Sequence, residues 1–336
     1  MADRIDLNLF NELKDYGALE VEKCFNCGNC TAICSLTNEE DRFPRSLIRM
    51  AQVGLTDELL GSKEIWLCYN CGECSETCPK QAEPANFMAA ARRYAISNYD
   101  PTGFGKLLNK FPLLGSVIVA LLVIFFGFFM VVQREEMATD SLKFFDFIPY
   151  EWIHNVGLAA IILISLASII TMLNMMVKIA KANDLKFKNF FSGARMNWLP
   201  ALWDAVVVQA LAQKRYRDDC EKTPHKETGP WYLSKWFVHA SAMWGFLGLL
   251  LATIINYVMD IFGWKPTGTF VPIWYPVRLL GTISGLVFLY GVTILIWRRL
   301  RSDGKAHSLS QASDWIFLTL LWWAAFTGFL LEIALY

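Results

Sequence analysis

The sequence predicts an all-α protein, in which a small cysteine-rich helical domain precedes a five-helix transmembrane bundle. Three observations predict this class: two cysteine runs near the N-terminus, five long apolar segments after them, and no strand-period alternation. Of the 336 residues, 54% are hydrophobic and 18% are charged, whereas soluble domains carry about 25% charged residues. The formal net charge of zero argues against a protein that binds nucleic acid, because such proteins carry a basic excess.

A change from polar to apolar sequence near Lys110 divides the chain into two predicted domains. Residues 1–110 contain eight of the nine cysteines, and residues 111–336 contain the long apolar segments. The N-terminal residues show neither the apolar core nor the cleavage site of a signal peptide. We therefore expect the cysteine-rich domain in the cytosol, where thiols stay reduced and can bind metal.

The two cysteine runs share one spacing, C-x2-C-x2-C-x3-C. The first run contains Cys24, Cys27, Cys30 and Cys34, and the second contains Cys68, Cys71, Cys74 and Cys78. This spacing is the ferredoxin pattern for a [4Fe–4S] cluster. Gly28 and Gly72 are expected to let backbone amides approach the cluster sulfides. The pattern predicts a helical dicluster ferredoxin domain.

The fourth cysteine of each run is expected to bind the cluster of the other run, because it points away one helical turn further on. The predicted ligands of the first cluster are Cys24, Cys27, Cys30 and Cys78. Those of the second cluster are Cys68, Cys71, Cys74 and Cys34. Zinc is the alternative metal, because paired C-x2-C motifs also form zinc sites. A repeated run of four cysteines fits zinc poorly, since one run would already supply a complete ligand set.

The segment between the runs predicts a helix. Its apolar residues recur at helical spacing at Phe43, Leu47, Met50 and Ala51. Gly54 and Gly61 follow as helix stops. Residues Phe87–Ile96 predict a second helix after the second run.

Five apolar segments are each long enough to cross the hydrocarbon core, which takes about 20 helical residues. The predicted spans are residues 113–132, 156–177, 236–259, 272–297 and 315–335. The second and third spans are joined by the loop 178–231. In this loop Leu199–Arg217 predicts a helix that lies on the membrane or docks another subunit, and a solvated connector is the alternative.

The distribution of Lys and Arg predicts the orientation of the spans. Loops 178–231 and 298–314 carry ten and four basic residues, whereas loops 133–153 and 260–270 carry two and one. Basic loops stay on the cytoplasmic side. We therefore expect an inner (cytoplasmic) membrane protein with a cytoplasmic N-terminal domain and an outside C-terminus.

Histidine is a common axial ligand of haem iron, and the chain contains four histidines. His239 lies within the third span, where an ionisable residue is a functional candidate. We predict that it binds a b haem; an interhelical hydrogen bond is the alternative. His307, shortly before the fifth span, is the preferred second ligand, and His225 in the inner loop is a weaker choice.

His154 begins the second span at the outer face, about a membrane thickness from His239, so these two should not share one haem. A haem at His154 would need another ligand, such as Met130 or Met259. We therefore expect one haem, and a second haem is left as an open alternative. Arg278 lies near the outer end of the fourth span. It could meet a haem propionate or a quinone carbonyl, but snorkelling to the interface is the simpler expectation.

These residues resemble known families. The cysteine-rich domain resembles the C subunits of heterodisulfide reductases, through both cysteine runs, Ile48-Arg49-Met50 and Ile65-Trp66. The membrane domain is similar to cytochrome-b subunits related to the nitrate reductase gamma chain, through Phe237-Val238-His239, Trp244-Gly245-Phe246, Asp314-Trp315 and Thr327-Gly328-Phe329. A fusion in this order is similar to the family of C subunits found in quinone-interacting membrane-bound oxidoreductase complexes.

The resemblance implies a membrane subunit that links quinone or menaquinone to soluble flavin-containing and iron–sulfur subunits through a b haem and two [4Fe–4S] clusters. It further implies a role in sulfur metabolism, with adenylylsulfate reductase as donor or acceptor. The chain would perform only the quinol half-reaction, because it shows no flavin or molybdenum motif. The alternatives are a subunit of a heterodisulfide- or sulfite-reducing complex, a membrane redox sensor, and a transporter with a zinc-binding head.

Overall fold

The computed structural model describes residues 5–38, 42–133, 149–185, 198–214, 217, 230–264, 271–301 and 310–335. Within these ranges every regular element is a helix, and one isolated antiparallel bridge joins Ile5 to Leu55. The predicted all-α class is confirmed. The chain forms two compact units: Met1–Ala120 with Leu158–Leu211 and Ser302–Ser313, and Leu121–Gly157 with Ala212–Arg301 and Asp314–Tyr336.

The first unit begins with a series of short helices. They are α1 (Leu9–Asp15), α2 (Asn29–Ile33), α3 (Arg45–Val53), α4 (Thr56–Gly61), α5 (Glu64–Leu67), α6 (Glu73–Glu76), α7 (Pro84–Tyr99) and α8 (Phe104–Lys110). The two helices predicted for this domain are confirmed as α3 and α7. Helix α3 ends at Gly54, whose φ of 84° is left-handed, and a side chain there would lie 2.4 Å from the carbonyl oxygen of Asp6. Only glycine fits this helix end.

One apolar core holds these short helices together. Leu9 and Leu13 from α1, Leu47 and Ile48 from α3, and Phe87 from α7 are completely buried in it. Burying a side chain of this size contributes about 1.5–3 kcal/mol. The cysteine-bearing helices α2 and α6 have five and four residues, too few to persist alone, so the core determines their structure.

Five further helices are long and apolar enough to cross a membrane, in agreement with the predicted number of membrane-length helices. They are α9 (Pro112–Val132), α10 (Tyr150–Ala182), α12 (Lys235–Ile261), α13 (Pro276–Arg301) and α14 (Ala312–Leu335), and α11 (Trp198–Trp203) precedes α12. Helix α10 has 33 residues and extends beyond its predicted span at both ends. At its C-terminal end the Nδ2 atom of Asn174 donates to the carbonyl oxygen of Tyr99 at 3.1 Å, within the first unit.

The connector before α12 differs from the continuous helix predicted over Leu199–Arg217. Helix α11 continues as a π-helical segment, Asp204–Leu211, and the helix is interrupted after it. Gln213 has a φ of 51°. A left-handed residue cannot continue a right-handed helix, which explains the interruption.

In the second unit α12 and α13 approach closely because glycines line their interface. A side chain at Gly245 would lie 2.5 Å from the backbone nitrogen of Phe288, and one at Gly291 would lie 2.6 Å from that of Ala242. Small residues allow such contacts between membrane helices, whose association depends on close packing because lipid is equally apolar.

Candidate functional site

The two cysteine runs follow the same backbone course, because both contain Cys-x-Asn-Cys-Gly. Asn26 and Asn70 have φ values of 61° and 57°, and Gly28 and Gly72 have φ values of 91° and 92°. Glycine adopts this left-handed region freely, and asparagine tolerates it better than most residues. The left-handed residues turn each run tightly, and α2 and α6 begin directly after the glycines.

Three cysteines of the first run line a cavity together with the last cysteine of the second run. The lining cysteines are Cys24, Cys27, Cys30 and Cys78. The Nδ2 atom of Asn29 donates to the carbonyl oxygen of Thr77 at 2.6 Å, and this bond joins the two runs next to Cys78. The cavity therefore brings together the four residues predicted to bind the first cluster.

Cysteines of both runs also lie near Cys74. Burial raises the pKa of the Cys74 thiol, and charge on Cys68, Cys71, Cys30 and Cys34 raises it further. Cys34 of the first run thus lies within electrostatic reach of Cys74. Since Cys30 and Cys34 of the first run both act on Cys74, this electrostatic effect does not distinguish the two sets, and the ligand assignments stay predictions.

At Cys30 and Cys74 the raised pKa favours the protonated thiol before metal binds. Burial raises the pKa of Cys30 to about 11, and neighbouring Cys24 and Cys27 contribute to the rise. Metal ligation requires thiolates, so assembly of a cluster would release protons. Backbone amides already approach two of the sulfurs: the amide of Asn70 donates to Cys68 Sγ at 3.4 Å, and that of Ala82 donates to Cys78 Sγ at 3.3 Å.

The arrangement fits clusters better than single metal ions. Among the described residues, no three His, Cys, Asp or Glu side chains converge closely enough to hold one metal ion. A structural zinc ion needs four ligands at about 2.0–2.3 Å. A [4Fe–4S] cluster holds its four thiolates farther apart, around a larger inorganic core, and this suits thiols that surround a cavity.

Two polar side chains that the cysteine pattern does not reveal hold the runs in place. The Nε2 atom of Gln52 donates to the carbonyl oxygen of Cys24 at 2.9 Å. The guanidinium of Arg92 donates to the carbonyl oxygens of Ile65 at 2.8 Å and Cys68 at 2.6 Å. Burial lowers the pKa of Arg92. The signal for it in the sequence is the arginine pair Arg92 and Arg93 within an otherwise mostly apolar predicted helix.

In the second unit, His239 is oriented by Gln213. Its Nδ1 atom donates to Gln213 Oε1 at 3.1 Å, and Gln213 Nε2 donates to the sulfur of Met243 at 3.1 Å. An amide oxygen only accepts hydrogen bonds, so Nδ1 carries the ring proton and Nε2 carries the lone pair. Metal-binding histidines are commonly oriented in this way. The same hydrogen bond also agrees with the alternative interpretation, in which His239 only forms a hydrogen bond within the bundle and binds no haem.

His154 lies far from His239. Its ring stacks on Tyr257, with ring centroids 6.1 Å apart and an interplanar angle of 21°. Tyr257 lies 18 residues beyond His239 on α12, about 27 Å along the helix axis at about 1.5 Å per residue. This separation agrees with the expectation that the two histidines do not share a haem. His307 and His225 lie outside the described residues, so the pairing of His239 with His307 stays a prediction.

Arg278 forms an ion pair instead of simply snorkelling to the interface. Its Nε atom lies 3.1 Å from Glu332 Oε1, and Nη1 donates to the carbonyl oxygen of Val271 at 2.7 Å. The hydroxyl of Thr282 donates to the same Oε1 atom at 2.9 Å. The side chains of Arg278 and Glu332 are 13% and 25% exposed. In the sequence, Glu332 stands out only as the boundary of an apolar run.

A cavity of about 320 Å³ lies beside this ion pair, between α12, α13 and α14. Its walls consist mostly of small residues, including Gly281, Gly285 and Gly328, and one wall carries the ring of Phe329. Arg278, Thr282 and Glu332 form its polar end. Leu249 of α12 completes the lining.

Comparison with known proteins identifies both halves of the chain. The profile of the 4Fe–4S dicluster domain matches residues 20–82, which include both cysteine runs. The profile of citrate utilization protein B matches residues 107–334, more than half of the chain. The chain belongs to the citrate utilization protein B family. It therefore combines a 4Fe–4S dicluster domain with five helices of membrane-spanning length, as expected of a multi-pass membrane protein.

Two curated relatives match about a third of the chain. They are the C subunits of the H(2):CoB-CoM heterodisulfide,ferredoxin reductases of Methanothermobacter thermautotrophicus and Methanothermobacter marburgensis. Each is 33% identical over 118 residues, which cover 31% of this chain and 64% of the relative. The chain thus spans less than two thirds of these relatives. The predicted similarity to the C subunits of heterodisulfide reductases is confirmed. No solved structure matches the chain.

Proposed function

We propose that the chain is the membrane electron-transfer subunit of an oxidoreductase complex, and that it links the quinone or menaquinone pool to soluble flavin-containing and iron–sulfur subunits. One observation carries this proposal: a 4Fe–4S dicluster domain and five membrane-length helices belong to the same chain. Such a chain joins one-electron carriers to the lipid phase, where quinones dissolve. Its place would be the inner membrane, with the head in the cytoplasm and the C-terminus outside.

Two [4Fe–4S] clusters would supply one-electron transfer in the head. Cys24, Cys27, Cys30 and Cys78 would hold one, and Cys68, Cys71, Cys74 and Cys34 would hold the other. Gln52 and Arg92 fix the backbone that presents these thiols. Amide donors to the sulfurs of Cys68 and Cys78 would stabilise negative charge there and so influence the reduction potentials.

A b haem held by His239 would extend the electron path into the membrane. The Nδ1–H bond to Gln213 supports this role, because it directs the Nε2 lone pair away from Gln213. His307 is the proposed second axial ligand. One such haem is proposed; a second, at His154, would need a ligand from elsewhere.

The partner subunits are proposed from two sources. The fusion of a dicluster head with a membrane domain supports adenylylsulfate reductase and sulfur metabolism, since it resembles the quinone-interacting oxidoreductases. The relatives named as C subunits of heterodisulfide reductases favour a second candidate, the membrane subunit of a heterodisulfide- or sulfite-reducing complex. Mass spectrometry of the proteins that co-purify with the full chain would separate these candidates.

The proposal is tested on the complex purified in detergent. We expect about eight irons per chain in two [4Fe–4S] clusters, a b-type Soret band, and reduction of the clusters by a short-chain menaquinol analogue. Clusters that dithionite reduces but the quinol does not would contradict the quinone link and favour a redox sensor. Zinc in place of iron would contradict the electron-transfer function altogether.

A further inference from the structure

We propose that the cavity beside Arg278 and Glu332 binds the headgroup of the quinone or quinol, and that Glu332 exchanges a proton with it. This inference rests on the proposed quinone-linked function and adds the site at which that substrate reacts. The cavity lies within the second unit, and among the residues that the structure describes its lining comes from α12, α13 and α14.

The size and the lining of the cavity, which is open on one side, suit a quinone ring with a lipophilic tail. Its volume of about 320 Å³ falls within the range of about 300–1,000 Å³ that is usual for small-molecule sites. Gly281 and Gly328 leave room beside the helix backbones, and the ring of Phe329, which packs on Gly285, forms part of the wall. Ala324 and Gly328 are exposed on the surface of the unit, so a tail could leave the cavity there.

The polar end offers groups for the oxygen atoms of such a ring. The guanidinium of Arg278 and the hydroxyl of Thr282 both donate to Oε1 of Glu332. The second carboxylate oxygen, Oε2, is thus the natural acceptor for a ligand hydroxyl. A charged pair inside a membrane span is costly to keep and is a functional candidate by default. The ion pair of Arg278 and Glu332 borders a cavity, so it can contact a ligand in addition to joining α13 to α14.

The reaction balances with these groups. Oxidation of one quinol to quinone breaks two O–H bonds and releases two electrons and two protons. The electrons pass one at a time, by way of the proposed b haem, to two one-electron acceptors, the iron–sulfur clusters of the proposed function. One proton passes to the carboxylate of Glu332 and the other to water, and quinone reduction is the reverse.

A cavity-filling variant tests the site. A side chain at Gly328 would meet no atom within 4 Å, and the same is true of Gly127 on α9, away from the cavity. We expect Gly328→Leu to raise the KM for a short-chain menaquinol analogue by about tenfold or more, and to prevent photolabelling of α13 and α14 by an azidoquinone. Gly127→Leu should change neither. Dithionite-reduced cluster spectra, measured on the same purified complexes, check that both variants assemble.

Glu332→Gln tests the proton transfer separately. It keeps the size of the side chain but removes the carboxylate, so kcat should fall by about 100-fold while azidoquinone labelling persists. Glu332→Asp should restore part of the rate. Quinol oxidation and labelling that are normal in Gly328→Leu would overturn the inference and leave the proposed function standing. Wild-type complex that the quinol never reduces would instead refute the proposed function.

Discussion

The Nδ1 atom of His239 lies 3.1 Å from the Oε1 atom of Gln213, and this hydrogen bond spans 26 residues of sequence. Gln213 is 6% exposed and precedes α12, on which His239 lies. A buried amide that accepts the Nδ1 proton fixes the ring tautomer and raises the basicity of Nε2. Substitution of His239 and substitution of Gln213 should therefore affect a bound haem in two different ways.

His239→Ala should abolish the b-type Soret band, because the axial nitrogen is lost, while the clusters remain visible by EPR. Gln213→Leu should keep the Soret band. Its haem midpoint potential should rise, because a less basic imidazole stabilises ferric iron less. Optical redox titration measures both effects.

The control is Gln209→Leu, a glutamine of the same connector whose amide contacts Asp204. It should leave the haem spectrum and potential unchanged. A Soret band that survives in His239→Ala would show that another residue binds the haem.

Exchange of the fourth cysteines makes a prediction about which substitutions affect the same cluster. Cys27→Ser and Cys78→Ser should perturb one EPR signal, because both line the first cavity. Cys34→Ser should perturb the other signal, together with Cys71→Ser. Cys220→Ser is the control, because this cysteine belongs to neither run. If Cys34→Ser and Cys27→Ser remove the same EPR signal, the prediction that the fourth cysteine of each run binds the cluster of the other run is wrong.

The close approach of α12 and α13 predicts strong sensitivity at Gly245. Leucine there would collide with the backbone of Phe288, which cannot move aside as a flexible side chain could. Overpacking of this kind costs about 1–3 kcal/mol or more. We expect a lower thermal unfolding midpoint for Gly245→Leu in detergent. Gly157→Leu, where a side chain would meet nothing within 4 Å, should unfold like the wild type.

The turn between α7 and α8 predicts a pH-dependent contribution from Asp100. Its Oδ1 atom accepts from the amide of Thr102 at 2.8 Å, and Oδ2 accepts from the amide of Gly105 at 2.6 Å. Burial alone would raise the pKa of Asp100, but these hydrogen bonds outweigh it and lower the pKa. A carboxylate with a lowered pKa stabilises the fold above its unfolded pKa, and this stabilisation is lost as the pH falls through the folded pKa.

Asp100→Ala should therefore destabilise the protein at pH 7 by about 1 kcal/mol, the usual effect of removing a side chain that accepts amide hydrogen bonds at a helix start. The difference from wild type should shrink below about pH 3.9. Thermal unfolding midpoints of both proteins at neutral and acidic pH measure this difference. A difference that is constant with pH would contradict the assigned hydrogen bonds.

The sequence by itself determined the helical class, the five spans and the two cysteine runs. These features depend on local properties: apolar length, the 3.6-residue period, and a spacing that recurs in Cys24–Cys34 and Cys68–Cys78. Even the left-handed turns could be anticipated at Gly28 and Gly72, because their backbone conformation depends on the residue itself.

The tertiary structure alone decided which distant side chains meet. Arg278 and Glu332 are 54 residues apart in sequence, Gln213 and His239 are 26 apart, and Gln52 and Cys24 are 28 apart. A periodic pattern reports which face of a helix is apolar, but not which polar groups converge when several helices pack. Convergence depends on helix rotation and on close approach at glycines such as Gly245, and these are properties of the assembled fold.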